Sequence, residues 1–266
     1  MTSDALFQSI LEDTRALLQR DRNPRKNTIA LLPETAALLE GPILDQPGKA
    51  PTDTPATSTP PRPADMSGPA TVVEPDLGGA IDALRLEVSG CTKCGLCKTR
   101  KQTVFGVGNL NADLVFVGEA PGADEDRLGE PFVGKAGQLL TDIIEKGMLL
   151  TRNDVYICNV LKCRPPDNRD PQPDEVAQCE PYLIRQLELI RPRVICALGR
   201  HAAQTLLKTT ESTGKLRGTW HNYHNIPLRV TYHPAYLLRK PEDKRKTWDD
   251  VKQIMKVLRG EESPAI

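Results

Sequence analysis

The chain has 266 residues, 35 basic and 35 acidic side chains, and no net charge at neutral pH. That length holds one large domain or two small ones, and with no bulk charge any polyanion binding has to come from clustering on one face. No apolar stretch is long enough to span a bilayer, and seven cysteines, an odd number with no leader peptide ahead of them, argue against a disulfide framework. A soluble, cytoplasmic protein is expected.

Residues 1–40 contain Leu6, Ile10, Leu11, Leu17 and Leu18 at helical spacing within Asp4 to Arg20. This pattern predicts an amphipathic helix that is solvated, loosely docked or paired with a protein partner. Residues 41–78 are rich in Pro, Thr, Ala and Asp and poor in large apolar side chains. Such a composition cannot bury enough surface to offset its ordering entropy, so a disordered linker is expected. The first 78 residues carry 7 basic and 11 acidic side chains, which leaves the remainder mildly basic.

From residue 79 to 266 apolar runs alternate with helical patterns. Asp113 to Val117 is followed by Ala136 to Lys146, Val155 to Asn159 by Asp174 to Ile190, and Arg193 to Leu198 by Arg200 to Leu207. A fourth strand is predicted over Pro227 to Thr231 and a closing helix over Pro241 to Leu258. This rhythm predicts an α/β fold of three layers, α/β/α, around a four-stranded parallel sheet. Ligands of such sheets sit beyond the carboxyl ends of the strands, where Gly118-Glu119, Asn159, Gly199 and Tyr232-His233 all fall.

Gly118-Glu119-Ala120-Pro121-Gly122 follows a strand directly. Its glycines permit tight turning and close backbone approach, and its N–H groups could cradle an anion, although a plain turn is the default for an isolated segment of this kind. It lacks the Lys-Ser/Thr of a phosphate-binding P-loop. Glu125 and Pro131-Phe132 lie close by, the ring offering a stacking face unless it is core. Asn159 carries the donor and acceptor needed to read a nucleobase edge, or else caps its strand. His233 opens Pro234-Ala235-Tyr236-Leu237-Leu238-Arg239-Lys240, a segment suited to inserting a leucine into a duplex while Arg239 and Lys240 hold phosphates. His201, His221 and His224 have no comparable setting.

Cys91-x2-Cys94 and Cys163-x15-Cys179 bracket the glycine loop. Two distant cysteine pairs make a staple for a soft metal, and spacing alone leaves an iron–sulfur cluster and zinc both open. The run Cys91, Cys94, Cys97 lacks the Cys-Pro of a ferredoxin, so Cys97 stays uncertain. Cys158 and Cys196 lie inside apolar strands and are expected to be plain buried side chains.

Taken together, Gly118 to Gly122, Glu125, Pro131 to Gly137, Asn159 to Pro166 and His233 to Arg239 resemble family 4 uracil-DNA glycosylases, over roughly Ala83 to Leu258. The resemblance implies a four-stranded α/β/α domain and a [4Fe–4S] cluster on Cys91, Cys94, Cys163 and Cys179; a monomer is expected. It implies a uracil-containing DNA substrate and hydrolysis of the bond between uracil and deoxyribose. It gives Glu119, Glu125 and His233 as catalytic, Gly118, Ala120, Phe132 and Asn159 as substrate-binding, and Leu237, Arg239 and Lys240 as DNA-binding. Relatives in another branch carry an aspartate where this chain has Ala120, so the water-activating carboxylate is open between Glu119 and Glu125. A relative that traps DNA covalently has an Arg-Arg-Ile-His insertion; Asp167-Asn168-Arg169-Asp170 stands here instead, which favours simple hydrolysis. The rival readings are a non-catalytic iron–sulfur nucleic-acid-binding module on the same fold and a zinc-stapled nucleotide hydrolase.

Overall fold

Strands β2 (Leu114–Gly118), β3 (Tyr156–Asn159) and β4 (Val194–Leu198) are buried at every residue, and β6 (Ile226–Thr231) over its last four. Strands covered on both faces pair in parallel, and these four do, in the order β3-β2-β4-β6. The structure, a computed structural model, describes residues 76–264. The helix expected over Asp4 to Arg20, the partner it would serve, and the linker up to residue 75 lie outside the described residues.

Two antiparallel edges that the sequence reading lacked complete a six-stranded sheet: β1 (Val107–Gly108) beside β3 and β5 (Trp220–Tyr223) beside β6. Both are short and only partly buried, so neither produces a long apolar run. The four-stranded parallel core stands as expected.

Alternation along the strands divides the interior into two cores. Val115 and Val117 face helices α1 (Leu77–Ser89), α4 (Pro173–Ile190) and α5 (Arg200–Leu207). Leu114 and Phe116 face α3 (Lys135–Asp142), α7 (Pro234–Arg239) and α8 (Lys244–Leu258). Short helices α2 (Ala123–Leu128) and α6 (Thr213–Leu216) lie in connections. The predicted helix over Ala136 to Lys146 ends as a π turn, Ile143–Gly147, and the closing helix begins with a separate 3₁₀ turn, Pro241–Asp243.

After β3 the chain crosses to the far side of β2 to form β4, which makes the carboxyl end of β2 the switch point of the sheet. A buried ionic triad fixes α8 against β6: Arg229 donates to Asp250 Oδ1 at 3.2 Å and Arg217 to Asp250 Oδ2 at 3.1 Å. Residues at the end of β6 are thereby held in place. Among the described residues no helix is long and apolar enough to cross a membrane.

Candidate active site

Gly118 ends β2 directly opposite Asn159, its register partner on β3. A Cβ at Gly118 would collide with Asn159 Oδ1 and lie 2.6 Å from Phe132 Cζ. Glycine here is what lets the amide and the ring reach the strand end. Phe132 itself sits at φ 54°, in the left-handed region, and Gly137 leaves room for its carbonyl. A bulky residue held in that conformation is strained, and such strain persists where surrounding structure fixes a side chain for use.

Glu125 does the fixing. Its Oε2 accepts the Gly122 N–H at 3.1 Å, while Oε1 accepts those of Val133 at 3.1 Å and Gly134 at 3.2 Å. Both oxygens are engaged by three backbone amides, so this carboxylate joins the glycine loop to the Phe132 loop. Glu125, expected as the alternative to Glu119 for activating water, borders the cavity while both its oxygens hold these amides.

Asn159 is 2% exposed and its Oδ1 has no hydrogen-bond partner. An orphaned buried amide oxygen costs about 1–3 kcal/mol unless something fills the space before it. It borders a cavity of about 440 Å³ shared with Glu119, Phe132 and His233. That volume is ample for a pyrimidine and its sugar.

His233 caps the first turn of α7, its Nδ1 accepting the Ala235 N–H at 3.1 Å. Nδ1 is therefore bare and Nε2 carries the hydrogen. Burial, with Arg239 adding to it, pushes the imidazole down to about 4, so it is neutral at ordinary pH. Its ring lies 5.5 Å from that of Phe132. Gly199, at φ 88°, allows this approach, since a Cβ there would lie 2.8 Å from His233 Cβ.

Glu119 also lines the cavity, its side chain 30% exposed and accepting no hydrogen bond from a backbone amide among the described residues. Burial raises its pKa; His201 and Arg200 pull it down and Asp170 pushes it up. His201 Nε2 lies 3.9 Å from Glu119 and 3.3 Å from Asp170, so this histidine does belong to the rim, contrary to its reading in the sequence. The available signal was its place in the first turn of the helix that follows β4, two residues past Gly199.

On the DNA-binding segment the structure exchanges two neighbours. Leu237 is 1% exposed in the core against α3 and α8, whereas Leu238 is 46% exposed. The helix starts at Pro234, and its turn carries Leu237 inward, so Leu237 cannot be the inserting side chain. Arg239 and Lys240 are exposed as expected, and Ala120 and Gly118 border the site.

Away from this rim, Cys91, Cys94, Cys163 and Cys179 line one common cavity, and Cys97 lines it too. Arg100 donates to Cys163 Sγ at 3.0 Å and the Lys162 N–H to Cys179 Sγ at 3.2 Å. One tetrahedral zinc would bring its sulfurs to within about 4 Å of each other. Among the described residues, no three of these sulfurs lie within 4.8 Å of one another; only Glu119, Asp170 and His201 meet that limit. Four thiols lining one cavity are a donor set for a soft metal or an iron–sulfur cluster. Cys158 and Cys196 are buried strand residues, as read from the sequence.

An aromatic face, an orphaned amide and a neutral imidazole around a strand-end cavity define a pocket protein for a planar heterocycle. The chain belongs to the uracil DNA glycosylase superfamily, whose model matches residues 105–252. Within it the chain is similar to the type-4 uracil-DNA glycosylase of Saccharolobus solfataricus, 47% identical over 186 residues that span 67% of this chain and 86% of the relative. It is also similar to the type-4 enzymes of Archaeoglobus fulgidus, 45% identical over 70% of this chain and 97% of the relative, and Thermotoga maritima, 43% identical over 65% and 92%.

Proposed function

We propose that this protein removes uracil from DNA by hydrolysing its N-glycosidic bond, leaving an abasic site for base-excision repair. The observation that carries this reading is the unpartnered Asn159 Oδ1, buried beside Phe132 and His233 on one cavity. Uracil supplies the missing partner: its N3–H donates to Oδ1 while the Asn159 amide nitrogen donates to O4. Cytosine presents the reverse polarity and leaves both groups unpaired.

A base inside a duplex is out of reach, so the nucleotide turns outward into the cavity, at an unstacking cost of roughly a few kcal/mol. Exposed Leu238 fills the gap it leaves, with Arg239 and Lys240 on the phosphates. Phe132 stacks on the ring. As the bond to the sugar breaks, negative charge gathers on uracil O2, and His233 Nε2–H donates to it; one such donor contributes about 3 kcal/mol. Glu119 faces the cationic sugar and orients the attacking water. Glu125 keeps the two loops in register.

Cys91, Cys94, Cys163 and Cys179 would hold a [4Fe–4S] cluster, which supplies a structural bridge between the first described helix, the β3 loop and α4. Four thiols lining one cavity support this. Cluster-ligating cysteines and three further thiols, none paired in a disulfide, support a reducing, cytoplasmic setting.

The test is incubation with a uracil-containing oligonucleotide followed by alkaline cleavage at abasic sites. Strand breakage at uracil is expected; its absence from brown, folded protein would leave the non-catalytic binding module as the surviving reading. A colourless yet active protein would overturn the cluster.

A further inference from the structure

Lys162 is 1% exposed, and no carboxylate among the described residues pairs with its ammonium. Nζ instead donates to the main-chain carbonyl of Asn159 at 2.7 Å and to Gln186 Oε1 at 2.5 Å. Gln186, on α4 and fully buried, is itself oriented by donating to the Phe105 carbonyl at 3.0 Å and the Tyr156 hydroxyl at 3.1 Å. At its other end Lys162 is anchored through its own N–H to Cys179 Sγ.

Burying a cation on neutral acceptors is costly, and a methionine of similar length would pack the space more cheaply. The Asn159 side chain lacks a partner at Oδ1, so its aim into the cavity depends on how its backbone is held. One grip is the β2 pairing at Gly118, and the other is the Lys162 ammonium.

We infer that Lys162 is a positioning residue that links the cysteine centre to the uracil-reading amide, its main chain tied to the Cys179 sulfur and its side chain to the Asn159 carbonyl. This rests on Asn159 reading uracil, as argued above. The chain of contacts is short: Cys179 sulfur, Lys162 amide, Lys162 ammonium, Asn159 backbone. Partners that orient a functional group from behind typically contribute about 10–100-fold to its performance.

The full-length, iron-loaded protein is compared with Lys162→Met in two backgrounds, wild type and Asn159→Ala. In the wild-type background, Lys162→Met is expected to lower the uracil excision rate about 10–100-fold. Inhibition by free uracil should weaken similarly, while the KM for DNA and the visible absorbance of the cluster hold. In the Asn159→Ala background the same substitution should change the rate less than about twofold, because the group it positions is gone. An equal loss in both backgrounds, or bleaching of the cluster, would overturn the proposal. Should Lys162→Met fail to fold, Gln186→Met, which removes the second acceptor along with the bonds to Phe105 and Tyr156 while leaving the bond to the Asn159 carbonyl, is read in the same two backgrounds with a smaller effect in the same direction. Wild-type protein that does not excise uracil would instead sink the functional reading, a result seen before any variant is made.

Discussion

The Ala235 amide donates to His233 Nδ1 at 3.1 Å, and this one bond decides which nitrogen of the imidazole faces the cavity with a hydrogen. Because burial holds the ring down to about 4, it stays neutral while it donates. His233→Ala is expected to lower kcat about 100–1,000-fold with little change in KM, the pattern of a donor used only as charge develops. Loss in KM alone would place the residue in binding.

The same group has a signature in stability. Its folded pKa lies below the ordinary 6.5, so the unfolded chain takes up the proton first. The stability it contributes is complete above pH 6.5 and is lost as pH falls towards about 4. Denaturant titrations across that window should show a steeper loss for wild type than for His233→Gln.

Asn159→Asp replaces a donor with an oxygen and should let cytosine in. The new carboxyl is as buried as the amide it replaces, so its pKa rises and the protonated form can donate to cytosine N3 while accepting from N4. Excision from cytosine mismatches is expected to be detectable and to increase as pH is lowered, with uracil excision reduced. A variant that ignores cytosine at every pH would show that Asn159 does not read the base.

The parallel core was legible because β2, β3 and β4 are buried on both faces and so read as short unbroken apolar runs. The edges were not, since Val107–Gly108 and Trp220–Tyr223 are half-covered and owe their pairing to neighbours distant in sequence. Phe132, Asn159 and His233 could be named because each lies inside a dense motif, the last two at or just past strand ends. What sequence could not supply is direction. Leu237 and Leu238 are chemically identical, and only the phase of α7 tells which one points outward. Glu119 and Glu125 likewise differ by what their oxygens meet across space, and Lys162 gave no sign that it would be buried.

Leu237 and Leu238 should accordingly behave in opposite ways. Leu237→Ala opens the core and is expected to destabilise the fold by about 2–5 kcal/mol, read as a drop in Tm. Leu238→Ala should leave Tm within a degree or two, since exposed substitutions stay within about 0.5 kcal/mol. It should lower excision from duplex more than from single strands, where no stacked gap has to be filled. Equal effects on both substrates would remove the wedge role.

Glu119 and Glu125 make the last contrast. If Glu119 must be ionised, activity falls on the acid side as pH drops through a pKa raised above 4.5 by burial. Glu119→Gln is then expected to lower kcat about 100–10,000-fold and to flatten that limb, the range for a positioned acid–base group. The sign for stability is the reverse of the sign for activity. A carboxylate whose folded pKa is raised opposes folding once ionised, so Glu119→Gln should hold or raise Tm at neutral pH. Glu125→Gln removes one acceptor from a carboxylate that serves Gly122, Val133 and Gly134, and turns it towards them as a donor. Its Tm should fall, and its rate should fall with no change in the shape of the pH profile, because the loop it holds carries Phe132 and not the proton. A Glu125→Gln profile that loses the acid limb while Glu119→Gln keeps it would exchange the two roles.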